Sequence, residues 1–573
     1  MIKSSYRIFF ALCFLTVWSA RSSLGQTEPG VLLQPAALDW TGTYSLRRTE
    51  PALTGKEVTI AAVCRSLTYL AGKPQDDYRL NIDHACFGSR DIHFADGLDA
   101  SGGVSFHSTA IGGILVGSDA YGFHPYTGPF YYQGAAPGAR VDVYEFWRFI
   151  SLYVYGSKEF KADILTMSVG SVFEDWWTRG IERLADEHGV LIFAGIGNGT
   201  AVHDPVFYPG AGSNIIGVGV VDSLKSGHPA DALERFSLPR AEHSSRGPTA
   251  DDRCKPDIVA PGNCLVPSAD SSSGYEITGD WSSFATPVVA GTAALLVQKA
   301  TSDPTLAAAV SKDGGNCVMK AILMNSATKL PYWHKGQPTK DDDHTAVLDY
   351  LQGAGMLNAV GAYQQLTAGH SRPGEVPATG WDNSVIQKKT GIEHVYSFSV
   401  AEPAGQRLTA TLVWNRHFEP EHPFLSLRAA DSDLTLELWA VDPENADRNR
   451  LLDYSDSVND NVEHIWCPLD ADYTRYEVVV TFSEIAGDVE QYPSERYGLA
   501  WRTAPADNGD SIFWYDLDLD GDIDSDDLIL LMNRFVGSEM SSTGFGPGDI
   551  DMNGVVDIKD MQSLMARVQQ NKP

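Results

Sequence analysis

The sequence predicts an α/β protein built on a parallel sheet, followed by an antiparallel β-sandwich and a small α-helical module with two acidic loops. Three observations predict this. From Lys56 to about Gly369, short apolar runs alternate with helical segments. From His394 to Trp501 the apolar residues recur with period two and helix signals are scarce. Beyond Asp510, one carboxylate-rich pattern occurs twice.

In the first region, residues 58–63, 141–146, 164–169, 190–194 and 215–221 read as strands. Residues 174–187, 287–300 and 318–326 read as helices. Strands covered on both faces are apolar throughout, and their alternation with helices is the pattern of a parallel sheet between helical layers. The texture changes at Ser371-Arg372-Pro373-Gly374. After it, 394–400, 408–414, 434–440 and 476–482 alternate as strands with one buried face do, which predicts the sandwich. The predicted organisation is a signal peptide over 1–25, a lead-in over 26–54, a catalytic domain over 55–370, a β-sandwich over 371–503, a linker over 504–511 and the tail module over 512–573.

The chain has 573 residues, 43% of them hydrophobic, enough for several cores. A formal charge of −31 argues against nucleic acid and anionic membranes, which repel such a surface. The predicted partners are cations and protein or peptide chains. Lys3 and Arg7 precede an apolar stretch over 8–20 that is too short to cross a bilayer, and Ser23 and Gly25 supply small residues before Gln26. This is the pattern of a secretory signal, and no later run is long enough to span a membrane. The predicted location is therefore extracytoplasmic: secreted, periplasmic or at the cell surface. Six cysteines remain after Cys13 leaves with the signal. Export permits disulfides, and Cys64–Cys86 and Cys254–Cys264 are the pairs closest in sequence, two guesses among 15 connectivities.

Two segments carry the chemistry. Ser283, in Ser282-Ser283-Phe284-Ala285-Thr286-Pro287, stands just before an Ala/Gly-rich helix, with Pro287 expected in the first turn. His107, in Phe106-His107-Ser108-Thr109-Ala110, opens another small-residue helix. Between them lie Gly134-Ala135-Ala136-Pro137-Gly138, Thr166-Met167-Ser168-Val169-Gly170, Ala194-Gly195-Ile196-Gly197-Asn198-Gly199, Ser244-Ser245-Arg246-Gly247-Pro248 and Lys255-Pro256-Asp257-Ile258-Val259-Ala260-Pro261-Gly262.

In this order and spacing the region from about Thr54 to the 360s resembles the subtilisin-like serine proteases, the subtilases. The resemblance implies a parallel α/β domain with its site at the carboxyl ends of the strands. It implies that Ser283 is the nucleophile, His107 the general base and Asn198 the side-chain donor of the oxyanion hole. A serine hydroxyl is a poor nucleophile until an imidazole takes its proton, and the developing oxyanion needs fixed donors. The resemblance also implies that Ser168, Val169, Gly170, Gly195 and Gly197 hold the substrate as an added strand. Residues 26–54 are too short for the independently folded inhibitory pro-domain common in the family, so the mature start is expected near Gln26.

The chain departs from the family at three places. The first motif should end in Asp, yet the strand over 58–63 is followed by Cys64-Arg65-Ser66. The missing carboxylate normally holds the histidine tautomer and stabilises the imidazolium. Asp83, Asp91, Asp96 and Asp99 are the nearby carboxylates available to replace it. Trp281 stands where the family has Gly and is expected to crowd the site, while Val288 stands where a His often follows the Pro and reads as packing.

In the tail, Asp516, Asp518, Asp520, Asp524 and Asp527 occupy positions 1, 3, 5, 9 and 12 of a loop, with Gly521 at 6 and Asp522 at 7. Asp549, Asp551, Asn553, Gly554, Val555, Asp557 and Asp560 repeat it 33 residues on. Oxygen ligands at these alternations suit Ca²⁺. The duplicated loops resemble a type I dockerin, which implies a cohesin-type partner. The predicted function is a secreted subtilisin-like serine endopeptidase with a dockerin-like tail. The alternative is a catalytically impaired binding or scaffold protein on the same fold, because of Cys64.

Overall fold

The computed structural model describes residues 32–505 and two helical pieces in the tail, at 525–532 and 558–570; it leaves out 66–68, 71–72, 75–76, 99–102, 157, 200–205, 225–230, 331–332, 338–339, 341, 486, 526 and 530. The predicted signal peptide and, apart from Asp527 and Asp560, the predicted ligands of both acidic loops lie outside the described residues.

The first domain is a seven-stranded sheet, in spatial order Ile258–Pro261, Ile216–Val221, Leu191–Gly195, Ile164–Met167, Thr59–Cys64, Arg140–Glu145 and Asp91–Phe94. Every pairing in it is parallel. Because side chains alternate across a strand, Ile60, Ala62 and Cys64 face one core with Ile111, Ile114 and Leu115, whereas Ala61 and Val63 face another with Leu165, Met167 and Ile192. Helices Phe106–Val116 and Ser282–Ser302 cover the first face, and Trp176–His188 covers the second. Strand bounds fall within a residue or two of the predicted ones.

The residues before the sheet are folded onto it. Thr43 Oγ1 lies 2.8 Å from Thr292 Oγ1 on the Ser282–Ser302 helix, and Tyr44 donates to the Gln133 carbonyl at 2.7 Å. Strand Leu33–Gln34 pairs in parallel with Tyr131 and Tyr132.

The sandwich consists of a sheet in order Gly374–Glu375, His394–Ser399, Arg475–Glu484, Asp433–Ala440, Arg450–Ser455, and a second in order Thr379–Gln387, Ser494–Pro505, Gln406–Trp414, Val462–Pro468. All pairings are antiparallel except the two-residue contact at Gly374–Glu375. Its core is Leu- and aromatic-rich, with Trp414 and Trp501 fully buried, whereas Trp381 packs into the core of the α/β domain. The second sheet is fused to the α/β domain through helix Gly315–Asn325, where a Cβ on Gly498 would lie 2.4 Å from Val318 N. Asn214, Arg416, Asn316 and Asn415 hydrogen-bond across the same junction.

The suggested disulfides are not formed. Cys64, Cys86, Cys254, Cys264, Cys317 and Cys467 are all free thiols. Cys64 is instead packed at a strand end beside Ser108, and the Cys254 Sγ approaches the Leu348 carbonyl at 3.8 Å. Proximity in sequence says nothing about whether two Cβ vectors converge.

Candidate active site

The Ser283 site is built at the start of a 21-residue helix, Ser282–Ser302. Trp281 is extended (φ −132°, ψ 137°), and its carbonyl accepts from Phe284 N at 3.0 Å and Ala285 N at 3.3 Å. Ser282 N donates to Asn198 Oδ1 at 2.8 Å. The first four amides of a helix have no intrahelical acceptor. Of these four, Ser283 N–H is the one left without any acceptor among the described residues.

Asn198 Oδ1 also accepts from Ser282 Oγ at 2.8 Å. A backbone N–H can only donate, so the Asn198 atom facing Ser282 must be the oxygen. The amide nitrogen is thereby turned away from Ser282, and it has no acceptor among the described residues. Ser282 Oγ further receives the Gly197 N–H at 3.3 Å. Gly197 has φ +113°, and a Cβ there would meet Ser245 Oγ at 2.4 Å, so only glycine fits. Ser282 and the Ser283 amide are candidate site groups that the motif reading missed. The signal for Ser282 was its place beside the nucleophile, but its hydrogen-bond partners were not visible in sequence.

Pro287 corrects an expectation. It stands inside the helix rather than in its first turn. A proline there removes the N–H that the carbonyl four residues earlier would accept. That carbonyl belongs to Ser283, and it accepts the Ser168 hydroxyl instead, at 2.7 Å. Ser168 thus ties the strand end to the nucleophile residue itself.

His107 is the second residue of helix Phe106–Val116, whose start is capped by Ser105 Oγ accepting from Ser108 N at 3.3 Å. Its ring lies against Phe284, the residue after Ser283, with centroids 5.6 Å apart. The side chain is buried, and Nδ1 has no hydrogen-bond partner among the described residues. Burial alone pushes the imidazole down to about 4. No carboxylate opposes that shift.

Cys64 explains why. It ends strand Thr59–Cys64 on the face that carries the His107 helix, and it is 1% exposed. Burial pushes its thiol up to about 11, and the facing Ser108 hydroxyl offsets this only in part. The Ser108 Oγ makes no well-formed hydrogen bond, so the two groups are in proximity rather than firmly bonded. Among the described residues, none of the nearby carboxylates substitutes. Asp96 accepts from Tyr78 Oη at 2.5 Å, Leu98 N at 3.0 Å and Glu145 N at 3.1 Å. Asp91 is exposed and pairs with His93 at 2.6 Å, Asp83 is exposed, and Asp99 lies outside the described residues.

Ser168, Val169 and Gly170 leave the carboxyl end of one strand, and Gly195 and Gly197 that of its neighbour, in the register Met167↔Ala194. Residues 168–170 and 195 are partly exposed. Gly170 closes against Tyr208, whose carbonyl would lie 2.8 Å from a Cβ there. Trp281 is 51% exposed, whereas Val288 is fully buried as packing.

Comparison with known proteins agrees with this geometry. Residues 81–355 match the model of the subtilase family (Peptidase_S8). The chain is 28% identical over 265 residues to pyrolysin of Pyrococcus furiosus, covering 41% of this chain and 18% of that one. It is 27% identical over 349 residues to serine protease AprX of Bacillus subtilis, covering 54% and 67% respectively. It is 27% identical over 278 residues to subtilisin-like protease SBT6.1 of Arabidopsis thaliana, covering 48% and 23%. The matched region thus spans less than a quarter of pyrolysin and of the plant protease.

Proposed function

We propose that the chain is an exported serine endopeptidase that works with Ser283 and His107 but without a carboxylate behind the histidine. The observation that carries this reading is the pair of unspent donors, Asn198 Nδ2 and Ser283 N–H, flanking the nucleophile. A serine attack on a peptide carbonyl places negative charge on its oxygen, and two such donors stabilise that charge most. His107 takes the Ser283 proton and returns it to the leaving amine; water then hydrolyses the acyl-enzyme. Without an orienting carboxylate, the imidazolium formed in this step is uncompensated, so turnover is reduced but not abolished.

The orphaned His107 Nδ1 favours the second reading, a binding protein on a protease fold. A fluorophosphonate probe separates the two. Wild-type protein in calcium is expected to be labelled at Ser283, and Ser283→Ala to take up no label. An unlabelled wild type would leave only the binding reading.

The tail is proposed to hold two Ca²⁺ ions through the acidic loops and to dock a cohesin-type partner. Of the predicted ligands, Asp527 and Asp560 are described, and both are fully buried at the twelfth loop positions. Buried carboxylates beside helices suit the donor set of a hard cation. Residues 558–570 are helical, with Leu564 buried, as the pattern after the second loop predicts. Calorimetry of the full chain is expected to show a calcium-dependent transition that chelation removes and that Asp516→Ala with Asp549→Ala abolishes. Unchanged thermograms would reject the calcium assignment.

A further inference from the structure

We propose that Asp222, His243 and Asp280 form a binding site for one divalent cation of the zinc class, placed beside the nucleophile segment. One donor atom from each of the three residues lies within 4.8 Å of the others. They come from separate parts of the chain. Asp222 directly follows strand Ile216–Val221 at its carboxyl end, His243 sits in the loop before Ser244-Ser245, and Asp280 precedes Trp281.

The cluster is built rather than superficial. Asp222 is 1% exposed and Asp280 7% exposed. Asp280 is fixed by Ser223, which donates its N–H at 2.6 Å and its hydroxyl at 2.9 Å. His243 Nδ1 lies 2.5 Å from Asp222 Oδ2. The other oxygen of that carboxylate, Asp222 Oδ1, is buried and has no hydrogen-bond partner among the described residues. A buried carboxylate oxygen left unpaired costs free energy that a bound cation removes. The basic side chain nearby is Arg240, half exposed and 3.7 Å from Oδ2, too distant to satisfy Oδ1 as well.

The donor set selects the ion. One imidazole nitrogen with two carboxylates suits zinc and its neighbours, which take mixed nitrogen and oxygen ligands in fours, whereas Ca²⁺ takes six to eight oxygens. An ion of this class would replace the contact between His243 Nδ1 and Asp222 Oδ2, leaving a position open to water.

The placement gives the ion a consequence. Asp280 is three residues before Ser283, and the loop at 241–242 packs on Gly199, where a Cβ would meet the Ala241 carbonyl at 2.2 Å. Gly199 follows Asn198. A cation held by the three residues would therefore clamp the nucleophile segment to the loop that carries the oxyanion donor. The binding claim itself does not depend on catalysis.

The test is isothermal titration of full-length protein with Zn²⁺ in saturating Ca²⁺, which keeps the acidic tail occupied. Wild type and Cys467→Ser are expected to bind one more Zn²⁺ than His243→Gln or Asp280→Asn, and to gain thermal stability on binding. Equal stoichiometry in wild type and folded His243→Gln would overturn the site. Should the variants not fold, the Co²⁺ spectrum of wild type decides. Tetrahedral d–d bands without thiolate charge transfer support the site, and a thiolate band or no spectrum overturns it.

Discussion

Cys64→Asp is expected to raise kcat for peptide hydrolysis by about 10²–10⁴-fold, the inverse of the loss seen when a serine protease is deprived of its orienting carboxylate. Among the described residues, Ser283 N–H and Asn198 Nδ2 are unspent, and His107 Nδ1 has no partner. The Cys64 thiol is held at about 11 and is neutral throughout the working range, so it puts no charge beside the imidazole. Cys64→Ala should accordingly leave kcat near the wild-type value. The pH profile gives a second readout. His107 accepts a proton only when neutral, and burial holds it at about 4, so the acid limb of kcat/KM should fall near pH 4 in wild type. A carboxylate at position 64 favours the imidazolium and should move that limb upward. The same depressed value bears on stability with the sign fixed. Because His107 sits below its unfolded value of about 6.5, the stability tied to its neutral form is complete above that pH and is lost as pH falls towards 4. A folded Cys64→Asp protein with unchanged kcat and an unmoved acid limb would remove position 64 from the catalytic argument.

The sequence showed that a carboxylate was absent, but not whether another took its place. That required knowing that Asp96 is already spent on Tyr78, Leu98 and Glu145, a set drawn from three separate segments. The strands of the sheet were legible because burial on both faces makes them apolar throughout, and Ser283, His107 and Asn198 could be singled out as candidates because each stands in a motif. What failed was whatever depends on position in space. Pro287 was expected in a first turn, yet the helix starts at Ser282, and the consequence, a Ser283 carbonyl released to Ser168, is a contact across 115 residues. The Asp222–His243–Asp280 cluster left no trace in sequence, since its members are scattered and no spacing rule joins them. The suggested cysteine pairs failed for the same reason.

Asp257→Ala is expected to destabilise the α/β domain by about 3–5 kcal/mol, the cost of removing one partner from a buried ion network. Asp257 precedes the edge strand Ile258–Pro261 and is 1% exposed. Its carboxylate accepts Lys255 Nζ at 2.5 Å, Lys320 Nζ at 2.9 Å and the Gly217 N–H at 2.7 Å. Burial would raise its pKa, but the two ammonium groups hold it below the usual carboxylate range. Both lysines are themselves buried and tether neighbouring carbonyls, Lys255 that of Ile215 and Lys320 those of Ser213 and Ile215. Without Asp257, two buried cations lose their counter-ion, which adds an uncompensated-charge cost to the loss of three hydrogen bonds. Asp257→Asn keeps an acceptor for Gly217 but not the charge, and should recover only a small part. Adding Lys255→Met to Asp257→Ala should recover more, because it removes one stranded ammonium. Lys255 is already pushed down to about 7 by burial, against the pull of Asp257. A lysine depressed below its unfolded value of about 10.4 loses stability as pH falls from there towards its folded value. Removing Asp257 depresses Lys255 further, so both proteins lose stability in parallel from about pH 10 to 7. The deficit of Asp257→Ala should widen as the pH is lowered below about 7, where Lys255 takes up its proton in folded wild type but not in the folded variant. Urea unfolding in calcium-containing buffer across both ranges measures it. A deficit below about 1 kcal/mol, or one independent of pH, would mean that the ion network contributes packing but little charge compensation.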